Sequence, residues 1–237
     1  MAQFKLVIFD LDDVLFSEND YVKSGFRSVA KILSSNKITQ KKLYREMIKL
    51  FKKDSKHVFD NLIKSKYLNL DVDSDMVNLM IETYHNHLPD IHPYQRVLSL
   101  LKKLRNEKIS LAILSDGSEH TQKLKIKSLG IQNHVDKIIL TDSLGTRKKF
   151  WKPSTYGFKL LLDHFKIKAN NACYVGDNMS KDFLGPVKLG IIPILFKNKD
   201  GLYYVENPSE KKAKNTIQYK FTVSSIQELE NLLLNQL

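Results

Sequence analysis

The sequence predicts an α/β fold, a Rossmann-like doubly wound parallel sheet carrying an inserted all-helical domain, and three patterns predict it. Short apolar runs rich in Val, Ile and Phe recur along the chain, as in strands buried on both faces of a parallel sheet. From the second run onward each is separated from the next by a helical stretch, and such alternation gives parallel strands joined by right-handed crossovers. Between the first run and the second, about seventy residues carry helical periodicity without a convincing strand.

The first strand is Phe4 to Phe9, FKLVIF, and it ends abruptly in acid at Asp10-Leu11-Asp12-Asp13. Four apolar stripes follow at helical spacing: Phe26, Val29, Ile32 and Leu33; Leu43, Met47, Leu50 and Phe51; Val58, Phe59, Leu62 and Ile63; Met76, Leu79, Met80 and Tyr84. They define a four-helix domain over 17–89, set into a core formed by 1–16 and 90–237. Within that core the pattern gives a helix over Tyr94–Asn106, with Pro93 in its first turn, where a missing N–H costs little. Strands at Ser110–Leu114, Lys137–Leu140, Ala172–Val175 and Ile191–Phe196 then alternate with helices at His120–Leu129, Thr155–Phe165 and Lys181–Leu189. Gly130 and Gly190 read as helix stops in the left-handed conformation. Ser224-Ser225-Ile226-Gln227-Glu228, followed by Leu229, Leu232 and Leu233, reads as a capped amphipathic terminal helix.

Composition narrows the function classes. A chain of 237 residues, 42% hydrophobic and 27% charged, is an ordinary globular one of one or two domains, which excludes disorder and collagen. At this length roughly 70–75% of the unfolded surface is buried, so no disulfide or metal staple is required. Cys173 is the only cysteine, which removes an internal disulfide framework and any cysteine-rich zinc site. The N-terminus runs straight into the first strand without a secretion pattern, and no apolar run approaches the ~20 residues that span a bilayer. A cytoplasmic protein that is not membrane-bound is expected. The net charge is +12, from 38 basic and 26 acidic residues, a balance open to nucleic acid, anionic lipid or anionic small substrates. The lysines are scattered, however, with pairs such as Lys148-Lys149 and no run of five or six like charges, as a low-GC coding bias toward Lys, Asn and Ile would also give.

In an open parallel sheet the ligand sits beyond the carboxyl ends of the strands. The residues delivered there are Asp10 and Asp12 after the first strand, Ser115-Asp116-Gly117 after the second, and Gly176-Asp177-Asn178 with Asp182 after the fourth. A single Asp after a strand is an ordinary turn former or helix cap. Two acidic strand ends meeting at one rim repel unless a cation lies between them, and a hard divalent ion is the simplest neutraliser.

Phe9-Asp10-Leu11-Asp12-Asp13-Val14-Leu15, then Ser115, then Lys152-Pro153, then Gly176-Asp177-Asn178-Met179-Ser180-Lys181-Asp182 resembles the four ordered motifs of the haloacid dehalogenase superfamily. The helical insert resembles the type-1 cap of its subfamily I. The resemblance covers nearly the whole chain and implies a magnesium-dependent phosphatase, a phosphoric monoester hydrolase acting on a small phosphorylated metabolite such as a sugar phosphate or nucleotide. It implies that Asp10 is the nucleophile, forming an aspartyl-phosphate, and that Asp12 is the general acid and base, help worth roughly 10²–10⁴-fold. The Mg2+ ligands it implies are Asp10, Asp177 and the backbone carbonyl of Asp12, with Asp182 held behind them. Ser115 with the backbone N–H groups of Asp116 and Gly117 would cradle the phosphate, and Lys152 would stabilise its oxygens. The dehalogenases that name the superfamily lack the second aspartate of the first motif, so Asp12 points to phosphoryl chemistry. The ATP-driven pumps of the superfamily have membrane helices, which are missing from this sequence.

Three residues depart from the pattern: Asp13 and Val14 stand where glycine and threonine are usual, and Asp116 where asparagine is usual. Val14 also occurs in family mutases, which keeps a phosphomutase of sugar phosphates as the alternative enzyme. Candidate cap contacts to substrate are Tyr21, Lys23, Ser24 and Arg27, each also readable as packing or surface. His85, His87 and His92 lack a fourth ligand for zinc and read as linker polarity. A nucleic-acid-binding module with a degenerate site is the alternative of another class. The complete carboxylate set and the lack of a basic stripe with interleaved aromatics argue against nucleic acid as a partner. A monomer and a homodimer fit the sequence equally.

Overall fold

The apolar run after Lys5 forms the strand β1, Leu6–Phe9, with every residue buried. In the computed structural model, which describes residues 4–35, 39–65, 74–202 and 221–235, the chain divides into two compact units. One comprises Met1–Asn19 with His92–Leu237 and the other Asp20–Ile91.

The helical unit holds α1 (Glu18–Leu33, entering from the sheet unit), α2 (Gln40–Lys53), α3 (Val58–Lys64) and α4 (Ser74–Asn86). Its stripes converge as periodicity predicts: Phe26 meets the rings of Phe51, Phe59 and Tyr84 at centroid distances of 5.8, 6.1 and 5.8 Å, with Leu43, Met47, Leu62 and Met80 buried around them. Ile32 and Leu79, counted on the apolar stripes, are instead 46% and 47% exposed. Thr39 caps α2 by accepting the Lys42 N–H.

The four candidate cap contacts are engaged within this unit. Tyr21 is buried against Tyr84 and His87. Ser24 accepts the Asp90 N–H at 2.8 Å. Lys23 pairs with Asp20 at 3.0 Å and Arg27 with Asp90 at 3.6 Å. His87 corrects the linker reading, because its ring is buried and its Nδ1 hydrogen-bonds the Tyr84 carbonyl at 2.6 Å.

In the sheet unit the chain continues with α5 (Val97–Asn106), β2 (Ser110–Ser115), α6 (Glu119–Leu129), β3 (Lys137–Leu140), α7 (Tyr156–Phe165), β4 (Ala172–Gly176), α8 (Leu184–Leu189), β5 (Ile192–Phe196), β6 (Phe221–Val223) and α9 (Ile226–Asn235). All neighbouring strands are parallel, in the order β3-β2-β1-β4-β5-β6. Leu6 of β1 lies opposite Ser110 on one side and Ala172 on the other. One face of the sheet buries Leu6, Ile8, Ala112, Leu114 and Tyr174 against Phe158, Leu161 and Phe183. At roughly 1.5–3 kcal/mol for each large apolar side chain buried, such a layer is a main source of stability.

Gly130 and Gly190 end α6 and α8 at φ 65° and 82°, as expected of left-handed stops. Glu228 and Ser225 form the expected reciprocal cap of α9, the side chain of Glu228 accepting the Ser224 N–H and Ser225 Oγ accepting the Glu228 N–H. Two helices start three residues later than expected, and one strand was not expected. The helix expected from Tyr94 begins at Val97, because Arg96 sits at φ 77° and breaks the turn; Pro93 lies outside it, bridged to Phe16. The helix expected from Lys181 begins at Leu184, since the preceding loop is folded into the site described below. The strand β6, three residues at the sheet edge, is an element that the apolar runs do not announce.

Candidate active site

The strand ends deliver their polar groups to one rim. Asp10 directly follows β1, is 2% exposed, and donates its backbone N–H to Val175 O of β4 at 2.8 Å. Its Oδ1 accepts the Leu11 N–H, and its Oδ2 lies 2.8 Å from Lys152 Nζ. The same ammonium group lies 2.9 Å from Asp182 Oδ1 and donates to the Tyr174 hydroxyl at 2.8 Å; that hydroxyl donates to Asp182 in turn. Lys152, Asp182 and Tyr174 are all buried. A lysine taken out of water in this way is stable as a cation only with anions around it. Burial lowers its pKa, yet Asp10, Asp182 and Asp116 outweigh that and leave it raised.

The three acids Asp10, Asp177 and Asp182 bring carboxylate oxygens within 4.8 Å of one another. Burial works to raise the Asp10 pKa, but Lys152, Lys181 and the hydrogen bonds from Lys152 and Leu11 hold it below the ordinary value. Asp182 is raised, chiefly by burial, and is fixed by the Asn178 N–H donating to its Oδ2 at 2.8 Å. Gly176 leaves the space this requires, since a Cβ there would come within 2.7 Å of that oxygen. Asp177 is pushed up to about 9 by burial and then by the charges of Asp10 and Asp182. Hard oxygen donors that repel one another at this spacing suit a divalent cation of the magnesium type.

A stability consequence follows from Asp177. An acid whose pKa is about 9 in the fold and near 3.9 unfolded destabilises the fold progressively as pH rises between those values, because ionisation is disfavoured only in the native state. At pH 7.5, Mg2+ is expected to raise the melting temperature, and Asp177→Asn to raise that of the metal-free protein and remove the Mg2+ response. Each kcal/mol relieved corresponds to roughly 2–4 °C in a chain of this size. Thermal melts of both proteins, with chelator and with Mg2+, check this.

Asp12 has different partners from Asp10. Its Oδ1 lies 2.6 Å from Lys125 Nζ and its Oδ2 accepts from Gln122 Nε2 at 2.8 Å. Ser115, at the end of β2, accepts from the same Gln122 nitrogen at 2.7 Å. Gly117 is at φ +115°, a conformation that side chains rarely adopt. The Asp116 side chain turns to the neighbouring loop, where its Oδ1 accepts from Thr141 Oγ1 at 2.7 Å and from the Lys152 N–H at 3.1 Å, with Lys181 3.8 Å from Oδ2. A carboxylate beside an anion site is thereby turned toward a cation.

Asp13, where glycine is usual, keeps the backbone conformation that glycine favours, at φ 55°. Its Oδ1 accepts the Glu18 N–H at 2.9 Å and its Oδ2 the Leu202 N–H at 2.8 Å, while Asn198 Nδ2 donates to its carbonyl and to Tyr94 OH. These bonds tie the loop after β1 to the loop after β5. Val14 is completely buried and packs in the core.

Gln122, Lys125, Tyr174, Thr141 and Lys181 belong to this rim without having been singled out from the sequence. A signal for two of them was available: Gln122 and Lys125 occupy the stripe that Ile126 and Leu129 continue on α6. Among the described residues, His85, His87 and His92 form no metal-ligating group. In the segment 147–151 three basic residues precede two aromatic ones, and its two lysines lie on its own rings. Lys148 Nζ is 4.6 Å from the Trp151 centroid and Lys149 Nζ 5.2 Å from that of Phe150.

Among the described residues no helix is long and apolar enough to cross a membrane. The profile of the family described as "Haloacid dehalogenase-like hydrolase" matches residues 7–195. A protein of Methanocaldococcus jannaschii named glyceraldehyde 3-phosphate phosphatase is 28% identical over 98% of this chain and 97% of its own length. One of the same name from Pyrococcus abyssi is 28% identical over 81% of each chain. Among solved structures, the hydrolase YfnB of Bacillus subtilis, described as bound to magnesium, shares the fold at a TM-score of 0.68 and 15% identity, over 98% of this chain and 99% of its own.

Proposed function

The chain belongs to the haloacid dehalogenase-like hydrolases, and on that footing we propose that it is a magnesium-dependent phosphatase. It hydrolyses a small sugar phosphate through an aspartyl-phosphate on Asp10. The observation that carries this reading is the buried Lys152 ammonium lying 2.8 Å from Asp10 and 2.9 Å from Asp182, beside Asp177. The relatives named glyceraldehyde 3-phosphate phosphatase, one of them matching almost end to end, support the substrate class.

Asp10 and Asp177, with the Asp12 backbone carbonyl, would hold the cation, and Asp182 would stand behind them on Lys152. When bound, the cation supplies charge neutralisation between the attacking carboxylate and the phosphate dianion. The chain's own groups do the rest. The hydrogen bond from the Leu11 N–H and the Lys152 ammonium aim the Asp10 carboxylate, whose pKa below the ordinary value keeps it anionic and nucleophilic. Its oxygen attacks phosphorus, the bond to the alcohol oxygen breaks, and Asp12 donates a proton to that oxygen. Asp12 then takes a proton from the water that attacks the phosphoaspartate, releasing phosphate and restoring Asp10. Ser115 and the backbone amides after it receive the equatorial oxygens, whose charge is spread in the transition state. Every group in these steps lies in the sheet unit.

Phosphate release should be seen from glyceraldehyde 3-phosphate or another small sugar phosphate. It should require Mg2+, vanish with chelator, and leave no isomerised sugar phosphate. A colorimetric screen across sugar phosphates and nucleotides tests this. Absence of phosphate from every ester with Mg2+ present would overturn the reading.

A further inference from the structure

We infer that Gln122 and Lys125 are positioning residues that lock the general acid Asp12 and the phosphate-cradle hydroxyl of Ser115 into one arrangement, an inference that rests on the phosphatase reading above. Both side chains belong to α6 and are withdrawn from water, Gln122 1% and Lys125 4% exposed. Three residues apart, they lie on the same face of the helix. A buried amide and a buried ammonium are each unfavourable unless their hydrogens find acceptors. Here the acceptors are the residues that the reaction uses.

The arrangement follows from donor chemistry. The side of the Gln122 amide that meets Asp12 and Ser115 is its NH2 group, a donor with two hydrogens. One hydrogen goes to Asp12 Oδ2 at 2.8 Å and the other to Ser115 Oγ at 2.7 Å. The two groups are thus spaced by a single nitrogen atom. The second Asp12 oxygen is held by Lys125 at 2.6 Å, so neither oxygen of the acid is left to rotate. Because Ser115 Oγ accepts from Gln122, its own hydrogen is turned elsewhere; the acceptor it finds within the chain is the Asp116 carbonyl at a long 3.3 Å. A phosphoryl oxygen at the rim is a better one.

Gly117 fits the same arrangement. A Cβ there would lie 3.2 Å from Gln122 Cδ and 3.4 Å from its Cγ, so the missing side chain lets the glutamine lie against the loop. Transfer of a proton to a leaving oxygen depends on the acid being within hydrogen-bond reach in one orientation, and small displacements cost large factors in rate. An amide and an ammonium bound to both oxygens supply that constraint on Asp12, in addition to the one on Ser115.

The readout is leaving-group dependence, which a purely structural role does not alter. p-Nitrophenolate departs without a proton, whereas an alkoxide needs one, and kcat/KM reports only the steps through cleavage of that bond. In Gln122→Met and Lys125→Met, kcat/KM for an alkyl ester such as glyceraldehyde 3-phosphate should fall at least about tenfold more than kcat/KM for p-nitrophenyl phosphate, the fall lying in kcat rather than KM. Melting curves and circular dichroism establish that the compared variants are folded, and Gln122→Glu and Lys125→Arg provide milder changes at the same positions. Equal losses on the two esters in folded variants would overturn the positioning role alone. A wild type that released phosphate from neither would overturn the phosphatase reading, and this inference with it.

Discussion

Asp10→Asn is expected to lower phosphate release by about 10³-fold or more, equivalent to about 4 kcal/mol of barrier, while the protein stays folded. The amide matches the carboxylate in shape but is a far weaker nucleophile toward phosphorus, so under the proposed mechanism no phosphoaspartate should form. Stability survives because Lys152 keeps Asp182 at 2.9 Å and the repulsion among Asp10, Asp177 and Asp182 is reduced by one charge. A phosphate-release assay and a thermal melt, done together, separate loss of chemistry from loss of fold. Undiminished turnover in a homogeneous preparation of the variant would remove Asp10 from the mechanism.

Lys152→Met has a second large effect, this time on both stability and rate. The methionine fills the volume but leaves the buried carboxylates of Asp10 and Asp182 without their cation. Breaking a buried ion pair on one side costs about 3–5 kcal/mol, or roughly 6–20 °C in melting temperature for a chain of this size. Activity should fall as well, since the ammonium group 2.8 Å from the proposed nucleophile Asp10 is gone. Combining Lys152→Met with Asp182→Asn tests the cause: removing one stranded charge should restore much of the stability and none of the activity. If the single variant melts at the wild-type temperature, the ammonium group is not what holds the carboxylates together.

The sheet and the carboxylate rim were legible in the sequence for the same reason. Buried parallel strands need uninterrupted apolar runs, and Asp10, Ser115 and Asp177 follow such runs directly, so the run that makes the strand also dates the residue at its end. The strand β6 has only three residues, one of them exposed, too short for any period to register. The late start of α5 comes from Arg96 in the left-handed region, a conformation that no pattern of hydrophobicity encodes. Gln122 and Lys125 lie on the stripe that Ile126 and Leu129 continue, but polar residues in a lysine-rich chain read as a solvated face, so that signal passed unused. For the candidate cap contacts, polar and aromatic residues near a helix start fit a binding face or an internal contact equally well, and Ser24 and Tyr21 make internal ones.

The place of β1 in the sheet order bears on how the chain is made. The first strand to be synthesised lies between β2 and β4, and its partners Ser110 and Ala172 emerge only after the whole helical segment has been translated. A nascent chain therefore carries the apolar sequence Leu6–Phe9 with both edges unpaired through much of its synthesis, while the helices of 20–91, built on local contacts, have already had time to form. Chain order makes the sheet the late, slow event of folding and exposes to aggregation the strand that presents Asp10.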